Sequence, residues 1–164
     1  LQERFNKIKG LKIGIVGDIL HSRVALSNIY GLVKMGAEVK VCGPPHLIQR
    51  NIKELGVDVL YDIDELLDWC DAVNILRIQN ERMGIGIIPS VREYRDFFGI
   101  TYERIEKHKK EIIIMHPGPM NRDVEIDSQV ADSDQAIILN QVLNGVAVRM
   151  SVLYLLLGNS ELGK

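Results

Sequence analysis

The sequence predicts an α/β domain with three layers, in which helices cover both faces of a doubly wound, Rossmann-like parallel sheet with strand order 3-2-1-4-5. Short apolar runs alternate along the chain with segments of helical periodicity. Such alternation is typical of parallel sheets joined by right-handed crossovers. The length of 164 residues is enough for one well-packed core and too short for two full ones.

The strands are assigned to apolar runs that lack helical spacing and end near Gly, Pro or polar residues. This spacing places five strands at 11–18, 37–43, 57–61, 72–79 and 111–115.

The helices are assigned from apolar residues at intervals of three and four, and from residues suited to cap their first turns. Ser22 and Thr101 are candidate caps, and Asp62 with Glu65 forms a possible capping box. Segment 80–100 lacks clear periodicity and is predicted to be a long, mobile loop with some helix after Pro89. Helices are expected at 23–35, 48–55, 62–69, 101–109, 133–143 and 146–157, the last two separated at 144–145.

Composition excludes several classes of function. The net charge of −2, without a basic stripe, argues against a nucleic-acid-binding surface. The apolar run at 152–157 is too short to span a bilayer, so no membrane partner is expected. Cys42 and Cys70 are isolated and fit no metal or redox spacing, which suits packing in a reducing cytoplasm. We therefore expect a cytoplasmic protein with no metal and no cofactor.

Polar residues follow three strands that the predicted order makes neighbours. Strand 1 ends in GDILHSR, strand 4 in LRIQNER and strand 5 in HPGPMNR. Ligands of open parallel sheets bind beyond the carboxyl ends of the strands, near the point where strand order reverses. The three polar corners are therefore expected to line one crevice.

Each candidate in these corners also has a structural interpretation. Arg77 lies in an apolar run, where its guanidinium needs either a ligand or an ion pair with an aspartate such as Asp18. Arg23 opens a helix, where a positive charge is slightly unfavourable, yet surface arginines at helix starts are common. His21 and His116 more often order loops than catalyse reactions. The HPGP segment is either a plain rigid turn or a rigid backbone that recognises a small polar molecule.

A dinucleotide site is disfavoured, because the G-x-G-x-x-G fingerprint is absent. Gly14 lies inside the first strand and Gly17 at its end. The second strand ends in Cys42 and Gly43 rather than in the acidic residue that would bind a ribose. A non-catalytic Rossmann-like module that binds a small molecule remains an alternative.

Taken together, VGDILHSRVALSN, LRIQNER and MHPGPMNR resemble the C-terminal, aspartate-binding domain of the catalytic chain of aspartate transcarbamoylases. The resemblance runs from about Leu1 to the end of the chain. Ornithine transcarbamoylases share the fold, but they carry a Cys-Leu-Pro motif at the HPGP corner and a Ser-Met-Gly motif in the preceding loop. Both motifs are absent here, so the ornithine-type enzyme is the alternative within this class.

The resemblance implies roles for individual residues. Arg23 and Arg77 match the arginines that hold the carboxylates of aspartate, and Gln79 matches a supporting amide. Gly118 and Pro119 match positions whose backbone contacts carbamoyl phosphate, with a cis peptide bond expected before Pro119.

Four neighbours are expected to support these contacts, and the 80–100 loop is expected to close over aspartate. No residue is assigned as the general base. The supporting residues are His21, Ser22, His116 and Pro117.

The resemblance also implies a larger protein, because the family's phosphate-binding Ser-Thr-Arg-Thr-Arg motif is absent. We expect residues 1–10 to be the end of a truncated interdomain helix and 11–143 to be the aspartate-binding domain. The C-terminal helix at 144–164 is then expected to pack against a missing N-terminal carbamoyl-phosphate domain. The complete family protein is expected to be a homotrimer that serves pyrimidine synthesis. A regulatory or dihydroorotase partner stays open, and this chain alone is expected to be inactive.

Overall fold

The computed structural model describes residues 1–78, 90–108 and 110–158. A five-stranded, all-parallel sheet with the order β3-β2-β1-β4-β5 forms its centre, which confirms the predicted fold class and strand order. Every strand is shorter than predicted, and the fourth ends at Ile75 rather than at residue 79. The strands are β1 (Lys12–Val16), β2 (Glu38–Cys42), β3 (Asp58–Leu60), β4 (Ala72–Ile75) and β5 (Ile113–Met115).

The helices cover both faces of the sheet, and the connection between β2 and β3 differs from prediction. The helix expected at 48–55 is wrong, since two short 3-10 turns, Pro45–Leu47 and Ile52–Leu55, occupy this region. The helix expected after Pro89 is confirmed by a helix at Val91–Phe98. The α-helices are α1 (Gln2–Phe5), α2 (Arg23–Lys34), α3 (Ile63–Trp69), α4 (Val91–Phe98), α5 (Tyr102–Lys107), α6 (Ser128–Ala131) and α7 (Ile138–Leu157).

Side-chain caps fix where three of these helices begin, as the sequence predicts. The Ser22 side chain accepts a hydrogen bond from the Ala25 amide at the start of α2. Asp62 opens α3 and Thr101 opens α5 in the same way. Each cap satisfies an amide that has no partner within its helix, and a cap of this kind is worth about 1 kcal/mol.

The core has two halves, one on each face of the sheet. Ile13 and Ile15 of β1 belong to one cluster, whereas Val16 belongs to the other. All three are fully buried, because a central parallel strand is covered on both sides. Gly14 lets α3 pack closely on β1, since a Cβ atom there would lie 2.8 Å from Leu66 Cδ2.

The N-terminal segment packs on this chain's own core. Helix α1 ends at Asn6, which adopts a left-handed conformation with φ 57°, so the prediction of a helix reaching Gly10 is wrong. Leu1, Phe5 and Ile8 are half-buried against the first core cluster.

Helix α7 is one continuous helix of 20 residues, so the predicted break at 144–145 is wrong. All its residues from Leu139 to Leu157 except Gln141 are exposed. Within the described residues it is the one helix long and apolar enough to cross a membrane, and 6% of its 18-residue apolar stretch is buried. A single such helix is weak support for membrane insertion, because a core helix of a soluble protein can have the same length and composition.

Candidate functional site

The carboxyl ends of β1 and β4 lie side by side, as the predicted crevice requires. The Leu76 amide, just beyond β4, donates to the Val16 carbonyl at 2.8 Å. Gly17 follows at φ 124°, and a Cβ atom on it would lie 3.0 Å from the Leu76 carbonyl oxygen. Only glycine combines this conformation with so close an approach of two backbones.

The strand-1 corner is ordered by a buried aspartate. Asp18 is 1% exposed, and its carboxylate accepts hydrogen bonds from the His21 amide at 3.0 Å and from His21 Nδ1 at 2.9 Å. This fixes the ring of His21, which is exposed at the edge of the site. His21 thus has the loop-ordering contact that its structural interpretation predicted.

Arg23 is the first residue of α2, directly after the capping Ser22. Its side chain is exposed, and within the described ranges no acidic side chain pairs with it. The first turn of α2 also contains no acidic residue. The helix N-terminus and the guanidinium therefore both contribute positive potential here, which favours an anionic ligand.

The strand-4 corner begins after Ile75. Arg77 is half-buried two residues beyond the strand, so it lies at the ligand edge rather than inside the strand as predicted. Gln79, the predicted supporting amide, lies outside the described residues. Asn121 joins this corner to strand 5, because its Nδ2 donates to the Ile78 carbonyl at 3.1 Å.

The strand-5 corner is a compact turn around His116, which is completely buried. The Gly118 amide donates to His116 Nδ1 at 2.9 Å, and Gly118 has φ 61°. The Gly118–Pro119 peptide bond is cis, which confirms the expectation from the family resemblance. Pro117 and Gly118 are half-buried and Pro119 is exposed, so the backbone of the turn is accessible.

Two buried groups beside this corner were not identified from the sequence. Glu125 is 0% exposed, and its Oε1 lies 3.3 Å from His116 Nε2. Its one local signal is an acidic residue between the apolar Val124 and Ile126. Tyr94 of α4 is 3% exposed, and burial, together with the charges of Glu125 and other acidic groups nearby, raises the pKa of its hydroxyl.

A cleft of about 810 Å³ runs between α2 and α7. Val24 and Asn28 contribute from α2, Pro117 from the strand-5 corner, and Gln141 and Arg149 from α7. The cleft thus brings the helix that follows strand 1 next to the turn that follows strand 5. Neither Arg23 nor Arg77 is among its described lining residues, so the single crevice lined by all three corners stays a prediction.

The cysteines take no part in this edge. Burial raises the pKa of both Cys42 and Cys70 to about 12, so both thiols stay protonated at neutral pH. In the part of the chain that the structure describes, no cluster of three His, Cys, Asp or Glu side chains is arranged to hold a metal ion.

Comparison with known proteins identifies the family. The family model described as "Aspartate/ornithine carbamoyltransferase, Asp/Orn binding domain" matches residues 9–156. The aspartate carbamoyltransferase catalytic subunit of Carboxydothermus hydrogenoformans is 56% identical over 164 residues, which are 99% of this chain and 53% of that protein. The subunit of the same name from Flavobacterium johnsoniae is 58% identical over 95% of this chain and 51% of its own length.

Solved structures of carbamoyltransferases are also similar to this chain. The catalytic subunit of M. jannaschii aspartate transcarbamoylase superimposes with a TM-score of 0.78 at 31% identity, over 99% of this chain and 54% of that one. Ornithine carbamoyltransferase from Pyrococcus furiosus shares the fold, with a TM-score of 0.72 at 24% identity over 93% of this chain and 51% of that one. The chain spans about half the length of the curated relatives it matches. It belongs to the aspartate/ornithine carbamoyltransferase family, and the part of that family it corresponds to is the Asp/Orn-binding domain.

Proposed function

We propose that this chain is the aspartate-binding half of an aspartate carbamoyltransferase. The complete protein would transfer the carbamoyl group of carbamoyl phosphate to the amine of L-aspartate, a step of pyrimidine biosynthesis. The observation that carries the proposal is the shared edge of β1, β4 and β5, where two arginines and a rigid turn follow neighbouring strands. The names of relatives that are 56–58% identical support aspartate as the acceptor.

Aspartate would be held by its two carboxylates. Arg23 and Arg77 can each donate two parallel hydrogen bonds to a carboxylate, and Gln79 would support the second of these contacts. Arg23 is well suited to this role because it is exposed at a helix N-terminus and has no acidic partner among the residues that the structure describes.

The strand-5 turn would hold the carbamoyl group. The amine nitrogen of aspartate attacks the carbonyl carbon, a C–N bond forms, the C–O bond to phosphate breaks, and one amine proton is lost. Because no enzyme nucleophile is required, positioning and charge stabilisation can carry the catalysis. Gly118 and Pro119 would present a fixed backbone to carbamoyl phosphate, supported by Pro117 and by the buried ring of His116.

The complete protein would supply the phosphate-binding residues of the active site. A phosphate-binding N-terminal domain would cover the ligand edge and the exposed apolar side of α7. The family resemblance also favours a homotrimer, and the protein would work in the cytoplasm without a cofactor.

The test uses the complete catalytic chain and measures carbamoyl aspartate formation, with ornithine as the competing acceptor. We expect activity with aspartate only. Arg77→Ala should lose about 2–4 kcal/mol of aspartate affinity, because a bidentate charged contact is removed, while carbamoyl phosphate affinity changes much less. Arg92→Ala is the matched control, since Arg92 is 91% exposed and its ion pair to Asp96 spans 4.0 Å. The proposal would be contradicted if Arg77→Ala lost equal affinity for aspartate and for carbamoyl phosphate, or if the unmodified enzyme carbamoylated ornithine.

A further inference from the structure

His116 and Glu125 are both completely buried beneath the strand-5 turn. Burying a carboxylate and an imidazole is costly unless each is held by defined partners. The backbone supplies two of these partners, since the Asn121 amide donates to Glu125 Oε1 and the Gly118 amide donates to His116 Nδ1. Among the described residues, His116 Nε2 and Glu125 Oε2 are buried without a hydrogen-bond partner. An apolar pair would fill the same space without this cost, so the pair is better explained by what it orients than by packing.

The contacts determine the tautomer of His116. A ring nitrogen that accepts a hydrogen bond carries no proton, and Nδ1 accepts from the Gly118 amide at 2.9 Å. The proton of the neutral ring is therefore on Nε2, which lies 3.3 Å from Glu125 Oε1 without the alignment of a hydrogen bond. A carboxylate this close to Nε2 favours the tautomer that carries its proton there through its charge, so Glu125 is the group that selects this tautomer.

The tautomer in turn fixes a carbonyl. The peptide bond between Pro117 and Gly118 is trans, so its carbonyl and its amide N–H point in opposite directions within one plane. Because the Gly118 N–H points at the buried ring, the Pro117 carbonyl points away from it. Pro117 lines the cleft between α2 and α7, so that direction leads out of the core.

We propose that His116 and Glu125 are positioning residues for carbamoyl transfer. Glu125 holds the Nε2-protonated tautomer of His116, whose Nδ1 fixes the Gly118 amide and thereby the Pro117 carbonyl as acceptor for the carbamoyl NH₂ group. The inference rests on the proposed function and adds to it a role for Glu125.

The first test compares two replacements of Glu125 in the complete enzyme. Glu125→Gln keeps an oxygen facing His116, because the Asn121 amide can be satisfied only if that oxygen stays in place. Glu125→Met has a similar size and no acceptor. We expect kcat/KM for carbamoyl phosphate to fall about tenfold or more in Glu125→Met and less than about threefold in Glu125→Gln. Inhibition by inorganic phosphate should stay within about twofold in both variants, since phosphate has no amide to donate.

The second test bypasses Glu125. Asn at position 116 can accept the Gly118 N–H through its side-chain oxygen, since Asn commonly bonds the amide two residues on. In His116→Asn the acceptor of the Gly118 N–H no longer depends on a tautomer. Adding Glu125→Met to this variant should therefore lower kcat/KM for carbamoyl phosphate by less than about threefold. This non-additivity is the signature of two residues acting through one contact.

Three results decide the matter. The positioning role would be overturned if Glu125→Gln and Glu125→Met lowered kcat/KM for carbamoyl phosphate equally, or if the effects of His116→Asn and Glu125→Met were additive. It would also be overturned if inhibition by inorganic phosphate fell in parallel with kcat/KM. Each of these results would leave the proposed function intact. Unmodified enzyme that forms no carbamoyl aspartate would instead overturn the proposed function and this inference with it.

Discussion

Gly43 is a position where one added methyl group should damage both the fold and the site. It follows β2, it is buried, and a Cβ atom there would lie 2.5 Å from the backbone oxygen of Gly17. Real Cβ atoms do not approach within 3.0 Å, so the two backbones would have to separate by about 0.5 Å. The obstacle is main chain, so no side-chain rotation can relieve the contact.

The cost of Gly43→Ala can be worked from these contacts. Overpacking of this kind costs about 1–3 kcal/mol. The Gly17 amide also donates to the Cys42 carbonyl at 3.0 Å, and weakening this bond adds about 1 kcal/mol. With a urea dependence of about 2 kcal/mol per molar, the unfolding midpoint should fall by about 1–2 M.

The assay is urea unfolding followed by the fluorescence of Trp69, the one tryptophan in the chain. Gly31→Ala is the matched control, because Gly31 lies within α2 and nothing lies within 4 Å of the Cβ it would gain. This control should be stabilised by about 0.5–1 kcal/mol, since glycine is a poor helix former. If Gly43→Ala were as stable as the unmodified chain while Gly31→Ala gained stability, the close approach of the two backbones would be refuted.

Further expectations concern activity, chemistry and association. The chain alone should show no carbamoyl transfer in a carbamoyl aspartate assay, because it lacks the phosphate-binding motif, and turnover near that of ordinary enzymes would overturn the half-site interpretation. Cys42 and Cys70 should resist alkylation at pH 8 until urea is added. Their contribution to stability should be intact below pH 9 and lost as the pH rises from 9 toward 12, because the unfolded thiols ionise first; a flat stability profile there would contradict it. Arg104→Ala should cost about 1–3 kcal/mol in urea unfolding, since Arg104 is bonded to Asp64 and to the carbonyls of Gly99 and Asp96. The exposed side of α7 should cause concentration-dependent association in sedimentation, and a strict monomer at high concentration would contradict this.

The sheet and its ligand edge could be predicted because both depend on local patterns. Buried parallel strands are short apolar runs, and the residues after them must turn at the surface, where polar groups accumulate. Arg23 and His116 could be placed at one edge from the strand order alone, before any contact was known.

The continuous α7 could not be predicted from the residues near its middle. Asn144 and Gly145 are poor helix formers, and together they cost about 1–2 kcal/mol relative to alanine. That cost is too small to end a helix that has about one and a half turns before these residues and about three turns after them. Length and cooperativity therefore outweigh the local signal.

Glu125 and Tyr94 were missed for a different reason. Both lie in segments without clear periodicity, so no pattern indicates which of their faces is buried. Their burial follows from contacts with distant parts of the chain: Tyr94 approaches Gly17, and Glu125 approaches His116. Such contacts become visible only when the sheet has brought its strand ends together.

Helix α7 is also a mechanical arm about 30 Å long. Its base is fixed at strand 5, where the Ile137 amide donates to the Ile114 carbonyl and Gln141 Oε1 accepts from the His116 amide at 3.1 Å. A tilt of about 5° moves the far end by about 2.6 Å, yet it moves Gln141, about 5 Å from the pivot, by only about 0.5 Å. A displacement of the far end therefore reaches the His116 turn reduced about fivefold, so that the hydrogen bond there lengthens but is not replaced by another.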